Sequence, residues 1–228
     1  MKYYDSINNV NLDKDYIIGI DETGVGDYFT PLISCATYVP KENIDKLKKL
    51  GVKDSKKISD IQIIKLAPQI LSLVKFSVYK LSQNGYNSLT KKYNVNELKF
   101  FTHIKATNLL LAKLNIKPDL IIIDKYSTTN SILKYHNEIM INNNWAELED
   151  VDSDVLLITK AEGIHISVAA SSIIARYKLL EYMKEQENEW NFAFPLGASE
   201  EVKMKVKEFV QIYGEKNLRN VCKLNFKI

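Results

Sequence analysis

The chain has 228 residues, of which 46% are apolar and 26% charged, and its formal net charge is +3 at pH 7. These values are typical of a globular protein with one main domain, and they exclude an intrinsically disordered chain. No apolar run is long enough to cross a bilayer and no signal-peptide pattern begins the chain, so we expect a cytoplasmic protein with no membrane partner.

The first segment that indicates chemistry is an isoleucine-rich run, which predicts a buried strand. Two carboxylates, Asp21 and Glu22, follow it, and the glycine triplet Gly24-Val25-Gly26 comes next. Because side chains alternate between the faces of a strand, both carboxylates can serve one site only if the strand ends or kinks there, which the glycines allow. By themselves, two adjacent carboxylates are explained more simply as the solvated end of a strand. Whether they form a functional site therefore depends on the rest of the chain.

Four further strands are predicted along the chain, over 32–39, 76–81, 120–124 and 155–158. Helices are predicted over 42–50, after a cap at 59–60, after a cap at Asn96, over 130–141, from Ser167, over 199–213 and over 215–222. The apolar run 120–124 indicates a strand buried on both faces, as in the centre of an α/β sheet. Asn84-Gly85 predicts a chain break, and His103 is interpreted as a structural residue of its helix.

Four carboxylates lie at or just after the ends of three predicted strands: Asp21, Glu22, Asp124 and Glu162. Ligands of α/β sheets gather where strands end, so these side chains could converge. Converging carboxylates repel each other, by up to about 4 kcal/mol per close pair, unless cations neutralise them. Oxygen ligands favour Mg²⁺ or Mn²⁺ over Zn²⁺, and two such ions can hydrolyse a phosphodiester.

Positive charge is concentrated in two segments. Residues 41–57 carry seven lysines against three acids, and residues 203–227 carry six lysines and one arginine against two acids. Such local patches, rather than the small net charge, are candidates for phosphate contacts. We therefore expect replacement of the lysines at 203, 205 and 207 to weaken nucleic-acid binding, unless they only form the solvated face of a helix.

Several motifs spread over nearly the whole chain together resemble the type 2 ribonucleases H, and among them ribonuclease HIII. They are Asp21-Glu22-Thr-Gly-Val-Gly-Asp-Tyr-Phe, Val52-Lys-Asp-Ser-Lys-Lys, Gly85-Tyr-Asn, Leu98-Lys with His103, Ile123-Asp124, Lys160-Ala-Glu162, Ala169-Ala-Ser-Ser-Ile-Ile-Ala-Arg and Gly197-Ala-Ser. The Gly-Asp-Tyr-Phe extension and the Gly-Ala-Ser segment favour HIII over HII.

The resemblance implies an α/β, ribonuclease H-like fold with a mixed five-stranded sheet flanked by helices and C-terminal helices. It also implies an endonuclease that cleaves the RNA strand of RNA–DNA hybrids with two divalent ions, Mg²⁺ or Mn²⁺, and leaves 5′-phosphate and 3′-hydroxyl ends. By motif, Asp21, Glu22 and Asp124 match the catalytic metal ligands. Glu162 matches the fourth acidic position, which is Asp in many relatives.

The resemblance also assigns substrate contacts. The glycine triplet would read ribose hydroxyls through its backbone, although Val25 stands where relatives often have a polar residue. Lys56, Lys57 and Arg176 would hold phosphates, with a solvated lysine pair as the plain alternative.

Ribonuclease HIII usually carries an N-terminal substrate-binding domain, whereas only twenty residues precede Asp21 here. We therefore expect a single catalytic domain over 1–228, with its C-terminal helical part from about 190, without that extra domain, and a monomer. Two alternatives stay open at this point: a resolvase- or integrase-like DNA nuclease on the same fold, and a non-catalytic nucleic-acid-binding module.

Overall fold

A computed structural model of the chain describes residues 1–52 and 58–226. The strands of its sheet are β1 (Lys2–Tyr4), β2 (Ile17–Thr23), β3 (Leu32–Tyr38), β4 (Lys75–Leu81), β5 (Leu120–Asp124) and β6 (Asp154–Ile158). They lie in the order β1-β6-β5-β2-β3-β4. β1, β6, β5 and β2 run parallel to one another, whereas β3 is antiparallel to both β2 and β4.

The sheet confirms the predicted α/β class and contains all five predicted strands, but the count of five is wrong. The sixth strand is β1, which pairs with β6 at the sheet edge. Three residues are too few to show the alternation that identifies a strand in a sequence.

Helices flank this sheet on both faces. They are α1 (Lys41–Lys49), α2 (Asp60–Leu73), α3 (Gln83–Leu89), α4 (Val95–Leu114), α5 (Thr129–His136), α6 (Ile166–Trp190), α7 (Glu200–Tyr213) and α8 (Leu218–Val221). A π-helical turn, Asn137–Asn142, continues α5, and a short 3₁₀ turn, Ala161–Gly163, precedes α6.

Three local predictions are wrong. Asn84-Gly85 does not break the chain but lies inside α3, because the Ser82 side chain accepts a hydrogen bond from Gly85 N–H and starts the helix. The cap of α4 is Asn94 rather than Asn96, since the Asn94 side chain accepts from two backbone N–H groups and Glu97 completes a capping box. The helix predicted over 215–222 is reduced to a 3₁₀ turn and the four residues of α8.

The two faces of the sheet are packed by different helices. On one face Ser34 of β3 hydrogen-bonds Thr102 of α4, with 2.7 Å between their hydroxyl oxygens. On the other face Ser171 of α6 donates to the Gly19 carbonyl at 2.8 Å. A Cβ on Gly19 would lie 2.3 Å from the Val168 nitrogen, so only glycine allows this approach of helix and strand. The small residues that begin α6 thus pack closely on β2.

The C-terminal helices belong to the same core as α6. Val202 and Phe209 of α7 and Leu218 and Val221 of α8 are buried in the apolar cluster that also contains Ile173. No helix in the described part of the chain is both long and apolar enough to span a membrane.

Candidate active site

Asp21 and Glu22 lie on opposite faces of the sheet. β2 stays regular through Thr23, and its register pairs Asp21 with Cys35 and Glu22 with Ser34. Since successive strand residues alternate between faces, Asp21 faces α6 and Glu22 faces α4. The strand therefore does not end or kink at the carboxylates, and both reach one cavity because that cavity lies across the end of the sheet.

Two cationic or hydrogen-bonding side chains of α4 hold Glu22. The Lys99 Nζ lies 2.6 Å from Glu22 Oε1, and the His103 Nε2 lies 2.8 Å from Oε2. Burial acts to raise the pKa of Glu22, but the hydrogen bond and charge of His103 and the ammonium of Lys99 outweigh it and hold this pKa at about 2. Glu22 is thus a carboxylate at neutral pH. The sequence predicted only a structural role for His103 in its helix, but His103 directly contacts this residue of the site.

Asp21 has the opposite environment. Burial, and then the negative charge of Glu22, raise the pKa of Asp21 to about 8, and Asp124 adds to the effect. Hydrogen bonds from Ser172 and from the Glu22 backbone N–H, whose nitrogen is 2.8 Å from Asp21 Oδ1, act in the other direction but do not cancel it. Asp21 is therefore a group whose ionised form needs a further positive charge nearby.

Asp124 is the last residue of β5, the parallel neighbour of β2. The register pairs Ile20 with Ile123, so Asp21 and Asp124 occupy the next position on adjacent strands. Neighbouring strands are about 4.8 Å apart and residues at equal register point to the same face. Asp124 Oδ1 also accepts a hydrogen bond from Ala161 N–H at 3.3 Å.

Glu162 lies next to Ala161 in the 3₁₀ turn after β6 and is partly buried. The turn begins with Lys160 in the left-handed conformation, at φ 57°. Glu162 is not among the residues that line the cavity, although its neighbour Ala161 contacts Asp124. Its role as fourth acidic ligand stays a prediction.

The cavity, which we call the cleft, has a volume of about 440 Å³. It is lined by Asp21, Glu22, Thr23, Gly24, Val25, Gly26, Asp27, Ile58, Asp60, Ile63, Lys99, Asp124, Ser172 and Arg176. Within residues 1–52 and 58–226, no three acidic, histidine or cysteine side chains converge as a metal-binding group, and Glu22 contacts Lys99 and His103. The donor chemistry nevertheless fits a hard cation, because Asp21 and Asp124 present oxygen ligands side by side.

The glycine triplet forms one wall of the cleft. Gly24 has φ +82°, a conformation that favours glycine, and a Cβ there would lie 2.2 Å from the Pro31 carbonyl oxygen. A Cβ on Gly26 would contact nothing within 4 Å, so packing alone does not require that glycine. Val25 is partly buried against the apolar cluster under α4.

The predicted phosphate ligands are only partly described. Lys56 and Lys57 lie outside the described residues. Arg176 lines the cleft, where its Nε and one terminal nitrogen each lie 2.9 Å from a carboxylate oxygen of Asp60. This two-fold contact orients the guanidinium and uses two of its donors.

Comparison with known proteins decides the family. The family model described as Ribonuclease HII matches residues 18–228. Ribonuclease HIII of Listeria monocytogenes is 37% identical over 218 residues, which cover 95% of this chain and 68% of the relative. Ribonuclease HIII of Phytoplasma mali is 36% identical, with 92% of this chain and 70% of the relative covered. The solved structure of Bst-RNase HIII in complex with Mn²⁺ is 33% identical with a TM-score of 0.84, covering 93% of this chain and 67% of the other.

The chain belongs to the type 2 ribonuclease H family. The two relatives from Listeria monocytogenes and Phytoplasma mali are ribonucleases HIII, the subtype that the motifs indicated. The chain is therefore a ribonuclease H, and membership of this family implies endoribonuclease activity on RNA–DNA hybrids. The non-catalytic alternative is thereby excluded.

In this ribonuclease H, the sequence assigns no functional role to four of the residues that line the cleft: Asp27, Asp60, Lys99 and Ser172. Lys99 belongs to the Leu98-Lys motif, and Ser172 belongs to the Ala169-Ala-Ser-Ser motif. Asp27 and Asp60 gave no signal except their proximity to the triplet and to a helix start. Lys99 stands four residues before His103 in the α4 helix, and that helical spacing, which places both on one face, is the signal that could have identified them as a pair.

Proposed function

We propose that the chain cleaves the RNA strand of an RNA–DNA hybrid by hydrolysis assisted by two divalent ions, Mg²⁺ or Mn²⁺, leaving 5′-phosphate and 3′-hydroxyl ends. The observation that carries the proposal is the placement of Asp21 and Asp124 at adjacent positions of the neighbouring strands β2 and β5, in the cleft that also contains the glycine triplet. The Mn²⁺ complex of the related Bst-RNase HIII supports the choice of metal.

The residues of the cleft have distinct tasks in this proposal. Asp21, Glu22 and Asp124, with Glu162 beside them, would bind the cations. Bound divalent ions activate water and stabilise the leaving oxygen of a phosphodiester. Glu22 is held ionised by Lys99 and His103, so it accepts a cation without first losing a proton.

The glycine triplet and the basic side chains around the cleft would recognise the RNA strand. The backbone of the triplet can approach a ribose closely because Gly26 leaves open space, and a 2′-hydroxyl distinguishes RNA from DNA. Arg176 and, in the segment outside the described residues, Lys56 and Lys57 would contact phosphates. The Asp60 contact leaves guanidinium donors of Arg176 for such a contact.

The test is cleavage of a duplex with one end-labelled RNA strand and one DNA strand, in Mg²⁺, in Mn²⁺ and in EDTA. We expect metal-dependent internal cuts in the RNA strand only. The new fragments should carry 5′-phosphates, which treatment with a phosphatase would remove. An all-DNA duplex and a four-way DNA junction of the same sequence are the controls for a resolvase-like activity.

Undiminished cleavage in EDTA would contradict the metal-assisted mechanism. Faster cleavage of the DNA junction than of the hybrid would contradict the substrate class. Fragments with 5′-hydroxyl ends would contradict the attack by water that we propose.

A further inference from the structure

A buried lysine from the C-terminal segment contacts the loop that forms the triplet wall of the cleft. The side chain of Lys223 is fully buried. Its ammonium donates to the Gly24 carbonyl, to the Asp27 carbonyl at 2.7 Å and to the Thr30 hydroxyl at 3.2 Å. All three acceptors belong to residues 24–30, so this cation is directed at one loop.

The buried ammonium group of Lys223 depends on these three hydrogen bonds, because its other neighbours are aromatic rings. Its Nζ lies 5.5 Å from the centre of the Tyr86 ring and 5.7 Å from that of Phe226, and within the described part of the chain it forms no ion pair with a carboxylate. Burial lowers its pKa to about 7, against the opposing charges of Asp27 and Cys222. A buried cation without a carboxylate partner depends on its hydrogen bonds to neutral oxygens.

The contact with Gly24 determines where the next amide points. The described chain has no cis peptide, and in a planar trans peptide the N–H lies on the side opposite the carbonyl. Because the Gly24 carbonyl is turned towards Lys223, the Val25 N–H is turned away from it. Both residues line the cleft, which places this donor at the wall where a substrate strand would lie.

The rest of the loop is tied to the same C-terminal part. Lys223 N–H donates to the Tyr28 carbonyl at 2.9 Å, and Tyr28 N–H donates to the Gly197 carbonyl at 2.9 Å. Asp27 Oδ1 in turn accepts from Gly197 N–H at 2.7 Å. These hydrogen bonds fix the loop at Asp27 and Tyr28. The contact of the Lys223 ammonium with the Gly24 carbonyl therefore determines the orientation of the loop at Gly24.

We propose that Lys223 is a positioning residue for substrate selection: by holding the Gly24 and Asp27 carbonyls it directs the Val25 N–H into the cleft, where this amide contacts the ribose of the RNA strand. The inference rests on the proposed function, since it assumes that the cleft binds a hybrid. A lysine at the end of the chain thereby acts on recognition through the loop, without itself contacting the substrate.

The test compares Lys223→Met with Lys184→Met. Methionine keeps the length and burial of the side chain and removes its donors, while Lys184 is an exposed lysine of α6 outside both basic segments. For each protein kcat and KM are measured on the hybrid, and the inhibition constant of a DNA duplex of the same sequence is measured as competitor. Thermal unfolding is followed in parallel.

For Lys223→Met we expect the ratio of the DNA inhibition constant to the hybrid KM to fall roughly five- to tenfold, the factor that one ordinary hydrogen bond supplies. The loss should be mainly in KM for the hybrid, and Lys184→Met should keep the wild-type ratio. A lower unfolding temperature with an unchanged ratio would show that Lys223 has only a structural role, and would overturn the proposal.

Thr30→Val provides a second variant in case Lys223→Met does not fold. The Thr30 hydroxyl donates to the Gly24 carbonyl at 3.1 Å and accepts from Lys223, and valine keeps its shape. We expect a smaller fall of the same ratio. An unchanged ratio in Thr30→Val, or loss of the fold in both variants, would contradict a positioning role. A wild-type protein that does not prefer the hybrid over DNA would instead contradict the proposed function.

Discussion

Each end of the sheet has a cavity that contains aspartates, but the aspartates at the two ends have different partners. At the end where β2, β5 and β6 begin, a cavity of about 750 Å³ contains Asp119 and Asp152. Lys117 forms an ion pair with Asp152, and Asp119 accepts a hydrogen bond from Tyr16 N–H at 3.0 Å.

At the cleft end the cavity is smaller, about 440 Å³, and it contains two aspartates, Asp21 and Asp124, that have no cationic partner among the described residues. Across residues 1–52 and 58–226, neither Asp21 nor Asp124 forms an ion pair, whereas Glu22 pairs with Lys99 and Asp60 pairs with Arg176. A carboxyl group that is buried without a cationic partner has a raised pKa or destabilises the fold when it ionises, so such groups mark a functional site better than the volume of the cavity does. Four predictions test this contrast.

The largest effect is expected from Asp124→Asn, with Asp119→Asn as the matched control at the other end of β5. The first change removes a charged oxygen ligand from the cleft and keeps its shape, so turnover on the hybrid should fall on the order of 10³-fold, as when one stabilising group is removed from an active site. Asp119→Asn should keep near-normal kcat. Equal rates for the two variants under saturating Mg²⁺ would remove the functional distinction between the two ends.

Asp21→Asn should stabilise the metal-free protein. The pKa of Asp21 is about 8 in the folded protein, above its ordinary value of 3.8, so between these values the folded state binds the proton more tightly than the unfolded state does. The free energy of unfolding therefore falls as pH rises from about 4 to 8. The full shift would correspond to about 6 kcal/mol at pH 8, but Asp21 is partly exposed and solvent screens its charge, so in EDTA the variant should gain about 2 kcal/mol at pH 8 and much less at pH 5.

Urea unfolding at the two pH values measures this difference, and Asp119→Asn, which removes the same formal charge from an exposed position, is the control. A wild-type protein that is as stable as Asp21→Asn at pH 8 in EDTA would show that the fold carries no electrostatic strain at Asp21.

Lys99→Met should change the metal requirement. The Lys99 ammonium, 2.6 Å from Glu22, repels any cation that approaches the same carboxylate, so its removal should lower the half-saturating Mg²⁺ concentration up to roughly tenfold. Lys105→Met removes a lysine of the same helix whose Nζ contacts the Ala146 carbonyl instead, and should leave the requirement unchanged. A higher Mg²⁺ requirement in Lys99→Met would mean that the lysine positions Glu22 for the metal.

The predictable part of this molecule follows from strong local patterns. The apolar runs before Asp21 and Asp124 identified two strands and the acids that follow those runs, because buried parallel strands have continuous apolar sequences. A strand of three residues, β1, and a helix containing Asn84-Gly85 could not be predicted in this way, since pairing with β6 and a serine cap decide them.

The electrostatics of the cleft depend on distant contacts. Glu22 is separated from His103 by 81 residues and Gly24 from Lys223 by 199, and no periodicity in the sequence reports such pairs. The same holds for Arg176, whose motif suggested a phosphate ligand but whose contact with Asp60 is visible only in the fold.

The smallest effect is expected from the triple replacement of Lys203, Lys205 and Lys207 by alanine. The sequence suggested a basic contact surface, but Lys203 lies 2.7 Å from Glu200 and Lys205 2.7 Å from Glu208, so two of the three lysines are paired within α7.

The helix α7 as a whole contains three lysines and three glutamates, which leaves it without net charge. A lysine that contacts phosphate adds about −0.9 to the slope of log affinity against log salt on a B-form duplex, whereas exposed ion pairs contribute at most about 1 kcal/mol to stability. We therefore expect the KM for hybrid to rise less than about twofold and the salt slope to stay as in the wild type. A severalfold rise in KM with a flatter salt dependence would restore α7 as a phosphate-binding surface, and would place substrate contacts well away from the cleft end of the sheet.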